Sequence, residues 1–336
     1  MYPRPYILNL IYHTLYTISH TLYTIPYIPY TIPYIPCLIC HTLYAIYHTL
    51  YTLPYIPYPI YPPLHNSLYI ILCLPYPIPG NTYCKHHLRY HILYFVPKYP
   101  TLNILLFQTG CGETIAELLA ANSTLQALDL SQNELSDSDC EPLQWALRRN
   151  LGLRSLILRN NQITAEGCRL VCQGLTHSSA NLEKLDISHN HIKDKGLEAI
   201  CETLLSQSSL RELHVESCGL TSDGCSRLMD ALNENKSLHS LYISNNILGD
   251  AACSSIADML CRNDSLQILY MNMCSISAAG CSGILKIMAS ENSTLRTLGV
   301  CYNKLNALGD QDELRKLITS ALANNTDRRV LSWGTS

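Results

Sequence analysis

Leu125-x-x-Leu128-x-Leu130-x-x-Asn133 is the stretch that decides the fold, because it returns six more times along the chain. The returns are Leu153/Leu156/Leu158/Asn161, Leu182/Leu185/Ile187/Asn190, Leu210/Leu213/Val215/Cys218, Leu238/Leu241/Ile243/Asn246, Leu266/Leu269/Met271/Cys274 and Leu295/Leu298/Val300/Asn303. Successive first leucines stand 28, 29, 28, 28, 28 and 29 residues apart. A fixed period of this length marks stacked supersecondary units, none of which can bury its apolar side alone. Leu128 and Leu130 are two apart and share one face of a short strand. The other half of each unit has helical spacing, with Cys168, Val171 and Leu175 at i, i+3 and i+7, and Cys225, Leu228 and Leu232 likewise. The pattern predicts an α/β solenoid of alternating strands and helices around one continuous core.

The closing Asn offers two donors and an acceptor, so the spacing predicts a ladder of Asn side chains bonded to backbone where the chain turns under each strand. Cys218 and Cys274 are weaker occupants of that slot. With Asn or Cys ending the strand and Gly-Cys opening the helix (Gly167-Cys168, Gly224-Cys225, Gly280-Cys281), the unit resembles the ribonuclease-inhibitor-type leucine-rich repeat, also found in NOD-like receptors. The resemblance implies a curved horseshoe of about seven full repeats plus partial ends. It implies little about function, because this architecture hosts many partners.

Working outward, residues 1–107 have another character. The first 100 residues carry 20 of the 23 Tyr and 16 of the 17 Pro, with no Asp or Glu. His-Thr-Leu-Tyr occurs at 13–16, 20–23 and 41–44, and Tyr-Thr-Ile-Pro-Tyr-Ile-Pro at 23–29 and again at 30–36. Proline at this density stops helices and central strands, so 1–107 reads as a low-complexity, disordered segment and 108–336 as the repeat domain. The DNA repeat TACCA encodes Tyr-His-Thr-Ile-Pro, nearly the same alphabet, which also makes the segment readable as a gene-model artefact. Gly110-Cys111 with Ile115 and Leu118 matches a helix half whose strand is not evident in the tract, so the array is expected to open mid-repeat. At the other end Leu314, Leu317, Ala321 and Leu322 predict a helix, and Val330–Trp333 a closing strand with Trp333 as cap.

The region after residue 100 holds 19 basic and 26 acidic groups, which argues against a protein that binds nucleic acid by neutralising phosphates. No run of 18 apolar residues is present. Cys140, Cys168, Cys225, Cys253 and Cys281 share a repeat slot where Leu197 also fits, so they are expected as buried hydrophobes rather than metal ligands or disulfides. Abundant unpaired thiols suit a reducing, cytoplasmic compartment. Asn122, Asn235, Asn263 and Asn292 begin N-x-Ser/Thr sequons at the helix-to-strand turn, where Asn is expected for its tolerance of left-handed backbone. His189, His191 and His214 with Asp186 have poor geometry for a metal site. No Walker A, G-x-S-x-G or H-E-x-x-H pattern occurs, so neither an enzyme nor a cofactor is expected.

The concave strand face is left as the binding surface. Asp129, Asp186, His214, Tyr242 and Tyr270 fall in its central column, Arg159 and Glu216 in the next, with Met273 and Tyr302 beside it. Exposed Tyr and Met suit an interface hot spot, and the carboxylates suit a basic partner. The expected function is non-catalytic protein binding by an adaptor or regulator; no nucleic acid, membrane or small-molecule substrate is expected as partner. The resemblance adds two alternatives: the ligand-sensing fragment of a NOD-like receptor, and a GTPase-activating protein of the Ran-activator type, whose acidic tail is missing here. Ribonuclease inhibition is disfavoured because seven repeats curve less than that family's longer array.

Overall fold

The computed structural model describes residues 111–176, 181–206, 208–290, 294–305, 316 and 319, and the backbone of 67–72, 101–106 and 330–332. The chain divides into two compact units, Met1–Pro62 with Leu72–His86, and Pro63–Ile71 with His87–Ser336. The repeats belong to the second.

Among the described residues ten strands form one sheet in chain order. They are β1 (Ser67–Leu72), β2 (Thr101–Leu106), β3 (Ala127–Asp129), β4 (Ser155–Ile157), β5 (Lys184–Asp186), β6 (Glu212–His214), β7 (Ser240–Tyr242), β8 (Ile268–Tyr270), β9 (Thr297–Gly299) and β10 (Val330–Ser332). From β2 to β10 each neighbouring pair is parallel, and every step moves the register by one repeat, as in Leu128↔Leu156, Leu213↔Leu241 and Leu269↔Leu298. Parallel neighbours need a crossover, and from β2 to β9 it is a helix each time. These are α1 (Gly112–Ala121), α2 (Asp137–Arg149), α3 (Ala165–Thr176), α4 (Lys193–Ser206), α5 (Ser222–Glu234), α6 (Gly249–Arg262) and α7 (Ala278–Ser290).

The middle leucine of every strand from β3 to β9 is buried, as are the helix-face residues Cys168, Val171, Cys225, Leu228, Leu232, Cys253 and Ile256. Each buried aliphatic side chain contributes roughly 1.5–3 kcal/mol, and the shared core makes every contribution depend on the next repeat. The predicted solenoid and its α1 half-repeat are as the sequence implied. One expectation is corrected: a strand does precede α1. β2 pairs with β3 through Thr101↔Ala127, Leu102↔Leu128 and Asn103↔Asp129, so the sheet begins before residue 108. β10 provides the expected closing strand on β9. Of the predicted C-terminal helix only Lys316 and Thr319 are described, both helical, and Trp333 lies outside the described residues, as do 1–66 and 73–100.

The Asn ladder is present. Asn246 Oδ1 accepts from the Cys218 and Leu220 amides, and its Nδ2 donates to the Val215 and Ile243 carbonyls. Asn161, three repeats earlier, and Asn303, two repeats later, make the same four kinds of bond. Cys218 and Cys274 keep the donor role, their Sγ atoms reaching Ile187 O at 3.5 Å and Ile243 O at 3.6 Å.

The Gly-Cys signature has a physical origin that the sequence reading missed. An aspartate in the first turn of one helix caps the next repeat's helix: Asp137, Asp194 and Asp250 bind the backbone N–H and hydroxyl of Thr164, Thr221 and Ser277. A Cβ on Gly167, Gly224 or Gly280 would run into that carboxylate, so the glycine keeps the cap's place open.

The sequon asparagines also need a corrected explanation. Asn122, Asn235 and Asn263 have extended, not left-handed, backbone. Each is buried and folds its Oδ1 onto the two following strand-entry amides, for instance Asn235 onto Ser237 N and Leu238 N. Such turns favour Asn for its side-chain acceptor. Asn292 lies outside the described residues.

Candidate functional site: the concave strand face

On each strand the residues before and after the inward leucine point to the concave side, as does the residue two further on. This gives three columns: Ala127 to Thr297, Asp129 to Gly299, and Ser131 to Cys301. Strands lie about 4.7–4.9 Å apart, so equivalent side chains on neighbouring strands must touch.

The central column uses that contact. The His214 ring stacks on Tyr242 with centroids 4.0 Å apart and 3° between planes, and Tyr242 stacks on Tyr270 at 5.2 Å and 5°. At the next strand stands Gly299, and a Cβ there would overlap the Tyr270 ring. The three rings are therefore a ladder resting on a bare backbone. Tyr242 and Tyr270 are half-buried and spend ring faces on one another, leaving ring edges and hydroxyls for a partner.

Beside the ladder lies a charged network. Glu212 Oε1 sits 2.7 Å from both Lys184 Nζ and His214 Nε2. Glu216 Oε2 is 3.6 Å from His214 Nδ1 and 3.7 Å from Arg159, whose guanidinium also meets His189 Nε2 at 2.9 Å. Asp186 is buried one strand away from His214 and accepts from Ser188 N at 2.9 Å. Burial works against the His214 imidazolium, but the carboxylates of Glu216 and Glu212 beside it, with Asp186 nearby, outweigh burial and raise its pKa. Burial likewise resists the Glu212 anion, yet His214 and Lys184 hold that carboxylate below its usual range. The neighbouring His214 imidazole, 3.6 Å away, lowers Glu216.

The sign of the pH effect follows. A raised His214 pKa gives stability that is complete below the unfolded value, roughly 6.5, and is lost as pH rises through the folded one. The lowered carboxylates give stability that is present above their unfolded values and is lost in acid. Thermal unfolding should therefore show the wild type's advantage over His214→Gln shrinking between pH 6 and pH 8; a constant difference would contradict the network.

The last two predicted residues share an unusual backbone. Gln132, Asn160, His189, Ser217, Asn245, Met273 and Tyr302 all precede the ladder position and all have left-handed φ between 53° and 60°. The first five are polar, whereas Met273 and Tyr302 are apolar or aromatic and stay 54% and 64% exposed. A side chain with Cβ costs about 1–2 kcal/mol in this region, less for Asn. Met273→Asn and Tyr302→Asn should each raise stability by about 0.5–1 kcal/mol in thermal melts, since little buried area is lost. A lower melting temperature would show that these side chains pack more than their exposure indicates.

Of the predicted site residues, Arg159, Asp186, His214, Glu216, Tyr242 and Tyr270 come together in one continuous strip. Asp129 stands apart on β3, where Ser131 N and Oγ satisfy its carboxylate. Met273 and Tyr302 occupy equivalent places on adjacent repeats. Lys184 and Glu212 were not foreseen, because the column before the leucine was not read as part of the face. Among the described residues, no three His, Cys, Asp or Glu gather as a metal site. The twelve cysteines of 111–301 are free, and burial first of all pushes thiols such as Cys140, Cys225 and Cys253 up to about 12.

A family model described as Leucine Rich repeat matches residues 121–143, 150–172, 178–201 and 206–229. The repeat body is a leucine-rich-repeat array. The ribonuclease inhibitor of Mus musculus is 35% identical over 121 residues, which cover 34% of this chain and 26% of that protein. The ribonuclease inhibitor of Sus scrofa is 32% identical over 154 residues, covering 37% of this chain and 34% of the inhibitor. The NACHT, LRR and PYD domains-containing protein 4C of Mus musculus is 34% identical over 113 residues, covering 33% of this chain and 11% of its own length. The leucine-rich repeats are thus distantly homologous to those of both groups, and the match spans about a third or less of each relative. No helix among the described residues is long and apolar enough to cross a membrane.

Proposed function

We propose that this leucine-rich-repeat protein is a non-catalytic adaptor or regulator that binds a protein partner on its concave face. The observation that carries the reading is the ring ladder of His214, Tyr242 and Tyr270, continued by exposed Met273 and Tyr302. Buried leucines explain themselves by packing; a row of aromatic rings on the outward side of a sheet does not. Arg159, Glu216, Asp186 and, at the far end, Asp129 supply the polar part of the surface. On this reading the repeat array, and not the Tyr/Pro-rich tract of residues 1–100, does the binding. Free, buried thiols throughout the array support a cytoplasmic setting.

Affinity capture with the full chain tests this, run beside Tyr242→Ala and Tyr270→Ala. Each substitution should weaken capture of the same partner by about ten-fold or more, the scale of an interface hot spot. A captured set unchanged by both would remove the concave face from consideration.

A second reading is that the array is the ligand-sensing part of a NOD-like receptor. Its support is the 34% identity over 113 residues to a relative whose name includes NACHT and PYD domains. A transcript joining these repeats to a nucleotide-binding module would favour it.

A further inference from the structure

The concave face is divided by charge. Among the described residues, every acid and base in its three columns stands on β3 to β6, and none stands on β7 to β9. The charged half is acidic: Asp129, Asp186, Glu212 and Glu216 face two fixed cations, Arg159 and Lys184, with His214 between. The uncharged half carries the tyrosine rings and leads to Met273 and Tyr302, with Ile247 also 75% exposed in the loop after β7. Three of the six large apolar side chains exposed among the described residues are therefore on one loop edge of three consecutive repeats. Two of them, Met273 and Tyr302, stand where every repeat has left-handed backbone and where the other five repeats carry a polar residue.

Resting on the proposed binding role, we propose that the partner element is a linear segment lying across β6 to β9, with a Lys or Arg at the Glu212/Glu216 end and apolar side chains at the Met273/Tyr302 end. Charge complementarity selects this occupant. Glu216 is bound only loosely, with both of its cations beyond 3.5 Å, so an incoming guanidinium can take it in closer, bidentate geometry. An acidic segment would meet Glu212 and Glu216, with Asp186 one strand further. A segment charged along its whole length would strand charges on the tyrosine rings and Met273, where nothing compensates them. Three strand spacings separate β6 from β9, about 15 Å, which an extended chain covers in about four or five residues and a helix in about ten. Cation and apolar anchor must then stand at one of those two separations.

The test is selection of a displayed library of random 12-residue peptides on the full chain at pH 7.5, with affinities of the enriched peptides measured afterwards. The expected winners pair Lys or Arg with an apolar cluster at a fixed separation of four to five or about ten. Glu212→Gln with Glu216→Gln should remove the basic preference and leave the apolar one. Met273→Asn with Tyr302→Asn, which suits the left-handed backbone, should weaken the winners by about ten-fold. Winners without a cation, acidic winners, no winners, or affinities indifferent to these variants would overturn the assignment. If the winners lack this polarity but still depend on Tyr242 and Tyr270, the concave binding role stands and only the partner chemistry fails. If they ignore both tyrosines, that role fails as well.

Discussion

Asn246→Ala is expected to lower the unfolding free energy by roughly 3–5 kcal/mol. This one side chain bonds five backbone groups: Cys218 N and Leu220 N, each 3.0 Å from Oδ1, and the Val215, Ile243 and Ser244 oxygens at 2.9, 2.8 and 3.3 Å from Nδ2, of which Ile243 O also receives the Cys274 thiol. Asn246 is itself buried, so water reaches the orphaned groups only by opening the turn. Each unsatisfied buried group costs about 1–3 kcal/mol, with partial relief as the loop relaxes. Asn246→Cys should cost about half as much, because a thiol keeps the donor role seen at Cys218 and Cys274 but accepts weakly. Urea unfolding of the full chain measures the loss, and hydrogen exchange at the Cys218 and Leu220 amides locates it. Stacked repeats can unfold in parts, so the exchange data decide whether repeats four and five open first. A loss under 1 kcal/mol for Asn246→Ala would mean that the ladder bonds are replaceable.

The fold was legible because its cause is periodic. Leu128, Leu156 and Leu185 recur at fixed spacing since each must meet its neighbour in one core, and a reader of the sequence sees that constraint directly. β2 escaped notice because its repeat is degenerate. The places matching Leu125 and Asn133 hold Tyr99 and Phe107, and Leu102 precedes Cys111 by nine residues where Leu128 precedes Cys140 by twelve. The aspartate caps were hidden for a different reason. Asp194 acts on Thr221 and Gly224 one repeat later, a contact made only by stacking. At the candidate site the columns could be counted from the alternation of strand residues, and they place His214, Tyr242 and Tyr270 correctly in register. Residue order does not tell how rings on adjacent strands tilt. That Tyr242 gives its faces to His214 and Tyr270 follows from strand spacing and from the room left at Gly299.

Gly299→Ala separates the ring ladder from the sheet that carries it, and is expected to cost about 1–3 kcal/mol and to weaken partner binding about ten-fold. Gly299 has no left-handed φ, so alanine fits its backbone and the methyl group alone does the damage. That methyl would overlap Cδ1 of Tyr270 and press on Cε1 at 2.8 Å, so the ring must leave its place 5.2 Å from Tyr242. Tyr242 then loses cover on one face while His214 still holds the other. Gly283→Ala is the matched control: a Cβ there meets nothing within 4 Å, and its position in α7 favours alanine by up to about 1 kcal/mol. The decisive measurement is a double-mutant cycle with Tyr270→Ala. Once the ring is gone, Gly299→Ala should be close to neutral, and the coupling read from the four unfolding free energies should account for most of its single-mutant cost. A Gly299→Ala penalty that persists at full size without the Tyr270 ring would place the strain in the strand itself. The ladder would then be a passenger on β9 rather than a surface the sheet is shaped to present.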